Sequence, residues 1–212
     1  MADPTSASSR SRRPSKRRRY YDVGPDFRVG GRAGFVVENL DRLLQGSNSL
    51  GPFPGTRGFP ALPEFPRLLL DRKLGRALRD LEVFHAYWLI SDRMKAALEA
   101  LDRDAFAFLK CEARVAEGAP VPAYWLCDVL RILDAVDEAA SRLKIYFDIE
   151  TGTKVYNLTG GASLVFKDSI VGPAHVFRMA HLEPAIFCDQ MFKDACRAAG
   201  LKGVVFRDAS DC

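Results

Sequence analysis

The fragment Ser141–Lys144, "SRLK", sets a serine three residues before a lysine, the spacing of the serine acylases. In that chemistry the hydroxyl attacks an acyl carbon while a base takes its proton, and partner motifs S-D-N and K-T-G complete the cleft. Neither partner motif occurs in the chain, so the spacing alone carries little. The three histidines, His85, His175 and His181, show no i, i+4 pairing with an acid between them, and none adjoins a cysteine. Each reads as a strand or loop histidine. Five cysteines (Cys111, Cys127, Cys188, Cys196, Cys212) are scattered and never form a CxxC pair. That fits neither a disulfide framework nor a zinc site, and it implies buried thiols in a reducing compartment. No metal and no cofactor is expected.

The double glycine in "NLTGGASLVF" leads into an apparent strand. Without a helix N-terminus to present amides to a phosphate, it reads as a hairpin turn. The acids Asp128, Asp134, Asp137, Glu138, Asp148 and Glu150 face only Arg131, Arg142 and Lys144 in their stretch. Paired carboxylates can do acid–base work or hold a metal. Here they read first as a solvated acidic face and second as a face for a basic protein. No catalytic constellation emerges.

The elements that must position these residues begin after a charged tail. The chain has 212 residues, 48% of them hydrophobic, enough for one sizeable core. Its formal charge of +4 belongs to the first twenty residues, which hold seven basic side chains and one acid, so the body carries −2. Residues 1–19, with "SRSRRPSKRRR", are too poor in apolar side chains to fold and are expected to be a disordered tail before a single domain at 20–212. Contact with nucleic acid is expected, if anywhere, through residues 10–19, and the plainer role is a solubilising extension. No apolar signal segment follows the first charges, and the longest apolar runs, such as Leu68–Leu70, are far too short for a bilayer. The expected location is the cytoplasm, away from the membrane.

Residues 46–66 hold nine Gly or Pro among twenty-one positions, which excludes regular helix and central strand and leaves an ordered loop or a mobile flap. The segment 67–85 is open between a helical stripe through Leu70, Leu74, Leu78 and Leu81 and a hairpin about "RKLGR". A clear helix starts at Ser91, an N-cap, with Asp92 at the positive end of the dipole and Met94, Ala97, Leu98 and Leu101 on one face. "AFAFLKCEARV" then alternates as a half-buried strand. The chain closes on a related unit: the strand "IFC", a cap at Asp189 equivalent to Asp92, a helix with Met191, Ala195 and Ala198 on one face, a stop at Gly200 and the strand "GVVF". Between the units, "KIYFDI", "SLVFKD" and "AHVFRM" look like strands. The sum is an α+β domain with a strand-rich centre and two capped strand–helix–strand units. "YWLCDVLRIL" from Tyr124 fits either a helical stripe or a strand apolar on both faces, and it shares the tripeptide Tyr-Trp-Leu with Tyr87–Leu89.

Taken in order, "HAYWLISDRMKAALEALD", "YWLCDVLRILDAVDEAAS", "KVYNLTGGASLVF", "AHVFRM" and "IFCDQMFKDACRAAGLKGVVFRD" resemble the immunity proteins of bacterial polymorphic-toxin systems, of the MXAN-0049 type. The likeness covers about residues 67–209, more weakly "YYDVGPD", and includes no catalytic signature. It implies a strand for "YWLCDVLRIL", with Trp88 and Trp125 as core anchors. It implies a protein that is not an enzyme and that binds a cognate toxin domain to occlude its active site. The candidate toxin-facing residues are Asp134, Asp137, Glu138, Asp148 and Glu150. Two other classes stay open: an enzyme whose site is assembled from Cys127, His175 or the acids, and a nucleic-acid-associated protein acting through its tail.

Overall fold

The computed structural model describes residues 18–28, 30–52, 56–115 and 121–212. In chain order the first half contains β1 (Tyr20–Pro25), β2 (Phe35–Val37), α1 (Leu40–Leu44), β3 (Arg67–Leu70), β4 (Leu81–Phe84), β5 (Tyr87–Ser91), α2 (Asp92–Asp102) and β6 (Phe106–Val115). The second half contains β7 (Tyr124–Val129), β8 (Ile132–Leu133), β9 (Lys144–Phe147), β10 (Lys154–Asn157), α3 (Asp168–Val171), β11 (Val176–Met179), β12 (Leu182–Asp189), α4 (Gln190–Ala198) and β13 (Val204–Asp208). Strands assemble into a six-stranded sheet of order β2-β3-β6-β7-β5-β4, a five-stranded sheet of order β13-β1-β12-β11-β8, and the separate pair β10-β9. The α+β class follows.

The two Tyr-Trp-Leu copies are neighbouring antiparallel strands, with Leu89 opposite Leu126 and Trp88 opposite Cys127. Strand geometry sends successive side chains to opposite faces. Trp88 and Ile90 of β5, with Cys127 and Val129 of β7, enter a core shared with the five-stranded sheet and both long helices. Tyr87, Leu89, Tyr124 and Leu126 fill a second core on the far face. The segment is therefore a central strand as far as Val129 and the helical alternative fails, but it is not one strand throughout: Ile132–Leu133 cross to the five-stranded sheet as β8, parallel to β11. Trp125 is only partly buried: its indole Nε1–H donates to Asp92 Oδ1 at 3.0 Å, and Lys95 Nζ lies 4.6 Å from its ring. Trp88 is thus the core anchor, and Trp125 flanks α2.

Both capped units form. Ser91 Oγ accepts from Met94 N and Asp189 Oδ1 accepts from Phe192 N, so the equivalent caps are Ser91 and Asp189, one position away from Asp92. Met94 and Leu98 are the buried face of α2 as expected, whereas α4 buries Phe192 and Cys196 and leaves Met191 58% exposed. The register of α4 is set by which side meets the shared core, where Phe192 is the larger anchor. Gly200, at φ 61°, does stop α4.

Residues 67–85 form neither the helix nor a hairpin about "RKLGR": β3 runs parallel to β6 and β4 antiparallel to β5, the two are not neighbours in the sheet, and Gly75 between them is pressed so close to Arg32 that a Cβ would lie 2.2 Å from its carbonyl oxygen. The described residues of the 46–66 segment hold no helix or strand, yet they are packed: Leu50 is buried, Phe59 and Leu62 cover the far-face core, and Tyr87 Oη–H donates to the Gly58 carbonyl at 3.0 Å. "SLVF" makes only isolated bridges, Arg142–Ser163 and Val136–Phe166. Residues 1–17 of the expected tail lie outside the described residues. Its last two, Arg18 and Arg19, pair with Asp189 and Asp208. Among the described residues, no helix is long and apolar enough to cross a membrane.

Candidate interaction surface

The hairpin β9–β10 stands apart from both large sheets. Its turn is written in "FDIETGTK": Asp148 Oδ1 accepts from Glu150 N, Thr151 N and Thr151 Oγ1 at 2.8–3.1 Å, and Gly152, at φ 66°, returns the chain so that its N–H reaches the Asp148 carbonyl. That Asx turn with a following glycine is the signal for this hairpin. The double glycine at Gly160–Gly161 instead ends it.

Tyr156 roots the hairpin. It is 1% exposed in the core beside the five-stranded sheet, its N–H donates to the His181 carbonyl at 3.0 Å, and its hydroxyl donates to Glu138 Oε1. Burial, then the Glu138 contact, pushes the phenol up to about 12. Lys154 Nζ also donates to Glu138 Oε1 at 2.6 Å, and chiefly for that reason Glu138 sits below the usual carboxylate range. Ile145 lies opposite Tyr156 and Phe147 opposite Lys154, so these four share a face. Tyr156 on that face is buried while Phe147 is 67% exposed, so the hairpin runs past the edge of the core. Ile149, in the turn, is fully exposed. Of eleven exposed large apolar side chains among the described residues, five (Ile145, Tyr146, Phe147, Ile149, Val155) lie on this one element. A cluster of that kind marks a contact surface, where single exposed residues would not.

The candidate acids fall around it in two groups. Glu138 is bound at the root. Asp134 lies 3.7 Å from His181 Nε2, whose ring packs edge-on against Tyr156, so it borders the same root. Asp137 closes a local turn by accepting from Ala140 N. Asp148 and Glu150 occupy the tip. The acids stand out in the sequence, whereas the apolar side chains between them do not, because "KIYFDI" reads as an ordinary buried strand.

The residues considered for catalysis have other employment. Ser141 Oγ accepts from Val165 N at 2.9 Å and donates to Val165 O at 3.3 Å, and Lys144 is an exposed residue of β9. His85 and His181 occupy left-handed turn positions, at φ 54° and 65°, in the β4–β5 and β11–β12 hairpins. His175 Nδ1 pairs with the Asp189 cap at 2.9 Å. Burial pushes the Cys127 and Cys188 thiols well up, and those of Cys111 and Cys196 to about 12, so none is a ready thiolate. A cleft of about 810 Å³ opens between the five-stranded sheet and the β4–β5 turn, beside Arg57, His85, Arg178 and Glu183. Arg57 there pairs with Asp128 and Glu183, and Arg178 with Asp128, while the buried Arg57 Nε has no hydrogen-bond partner among the described residues and Asp22 and Arg207 also line the cleft. Among the described residues, no group of three or more His, Cys, Asp or Glu side chains is placed to hold a metal ion.

A family model described as "Immunity protein family (Imm11)" matches residues 19–211. The match spans every strand and helix above, including the Gly/Pro-rich segment that the sequence resemblance left out. No match is found among curated proteins.

Proposed function

The chain belongs to the Imm11 immunity protein family, and on that premise we propose that it neutralises a cognate toxin domain by binding it and occluding the toxin's active site. The family match along nearly the whole chain is the observation that carries this reading. Inhibition of this kind calls for a contact surface and needs no chemistry from the inhibitor, and the exposed hairpin with its neighbouring acids supports this reading. The partner is a protein of a polymorphic-toxin system, encoded beside this one and met in the cytoplasm. Asp134, Asp137, Glu138, Asp148 and Glu150 are proposed to face it, since carboxylates steer association with a basic partner and fix its orientation. A stable complex buries about 1,200–2,000 Å² in total. The test is to mix the purified protein with an inactivated toxin domain from the neighbouring gene and follow it by calorimetry and on a sizing column. A one-to-one complex is expected, and two separate elution peaks with no heat of binding would remove the proposal.

A further inference from the structure

We propose that the tip of the β9–β10 hairpin is the anchor of that complex and that it enters a cleft on the toxin with an apolar floor and a cationic rim. The inference rests on the immunity reading and adds to it the contacting element and the chemistry of the receiving site. A two-stranded hairpin is marginally stable by itself in water. This one is held by Tyr156 near its root and by the Lys154–Glu138 pair nearer its turn, and it leaves Tyr146, Phe147 and Ile149 at 51%, 67% and 101% exposure. Exposed rings on a fixed hairpin are what binding hot spots are made of, because aromatic side chains give large contact area for little lost rotamer freedom.

Charge selects the partner. From Ile145 to Thr153 the chain carries two acids, Asp148 and Glu150, and no base. Of the two lysines, Lys144 stands at the root opposite Asn157, and Lys154, opposite Phe147 at the tip end, has its charge taken up by Glu138. An apolar tip with a negative collar disfavours anionic lipid and nucleic acid, both of which call for Lys or Arg beside the apolar or stacking groups. It suits a protein cleft lined with Lys or Arg around an apolar floor.

Full-length protein, its Phe147→Ser/Ile149→Ser double variant and its Glu150→Lys variant are titrated against the inactivated toxin domain of the neighbouring gene, with thermal midpoints recorded for each. Both side chains of the double variant are exposed and the Glu150 carboxylate makes no side-chain bond among the described residues, so midpoints at the wild-type value are expected. The double variant is expected to bind about 100-fold more weakly, through faster dissociation. Glu150→Lys is expected to slow association and to flatten its salt dependence. Variants that bind like wild type, when wild type binds, overturn the hairpin assignment and leave the immunity reading standing. Wild-type protein that fails to bind overturns both. A concentration-dependent wild-type dimer that the double variant abolishes also overturns it, by giving the tip to a second copy of this chain.

Discussion

Asp128 is fully buried on β7 and accepts three donors: Arg178 Nη2 at 2.9 Å, Gly58 N at 2.7 Å and the Arg57 guanidinium. It joins one sheet through its own strand, the other through β11 and the Gly/Pro-rich loop through Arg57. Removing one partner of such a cluster strands buried charge, so Asp128→Ala should cost about 3–5 kcal/mol, read from urea unfolding. A loss near zero would show that the loop and the second sheet do not depend on it. Asp189 gives a pH signature. Burial alone would push its carboxyl up, but hydrogen bonds from Phe192 N, His175 and Arg18 outweigh that and hold it below its ordinary value. Its folded pKa is therefore lower than its unfolded one. The stability it contributes is complete above about pH 4 and is lost as pH falls through the folded pKa. The stability gap between wild type and Asp189→Ala should accordingly narrow on acidification, and a gap constant with pH would contradict the assignment. Four of the five thiols are buried, Cys212 being only partly so, and they make a third expectation: at neutral pH a thiol reagent should leave Cys111, Cys127, Cys188 and Cys196 unmodified until the protein unfolds. Rapid modification of Cys127 would favour the enzyme class instead.

At the scale of elements, Leu98 is 1% exposed beneath α2 whereas Trp125 lies beside the helix with its indole nitrogen on Asp92. Leu98→Ala should cost about 2–5 kcal/mol. Trp125→Ala should cost less, in spite of the larger side chain removed, and the reverse order in denaturant unfolding would misplace the core. What was legible in the chain follows the same division. Capped helices are local objects, and Ser91, Asp189 and Gly200 announce them through hydrogen bonds that span a few residues. Strands in the middle of a sheet are legible as apolar runs, but "YWLCDVLRIL" needs its partners at Leu89 and Leu109 before strand and helix separate. The face of α4 was misread because Met191 and Phe192 are adjacent and both apolar, and only the shared core decides between them. The hairpin was the hardest element to see. Its strands resemble buried ones, and nothing local tells that Phe147 has no sheet to lie against.

On the scale of the whole molecule, the two sheets and the helices α2 and α4 make one shared core, and the loop over one sheet and the 134–174 segment beside the other complete two further cores. The hairpin projects from the 134–174 side with its acids, while the described part of the Gly/Pro-rich loop is tied down through Arg57 and Gly58. A packed body whose exposed apolar side chains cluster, among the described residues, on this hairpin suits a protein that acts by contact. The body's charge of −2 is small, so the acids are expected to act locally, near Asp148 and Glu150, rather than through a long-range field. The most direct measurement of the central claim is growth of a bacterial host that expresses the active toxin domain of the neighbouring gene, with and without this protein. The toxin alone is expected to arrest growth and co-expressed full-length protein to restore it, while a non-cognate family member does not. Arrest that persists although the protein is soluble and abundant would contradict the immunity reading.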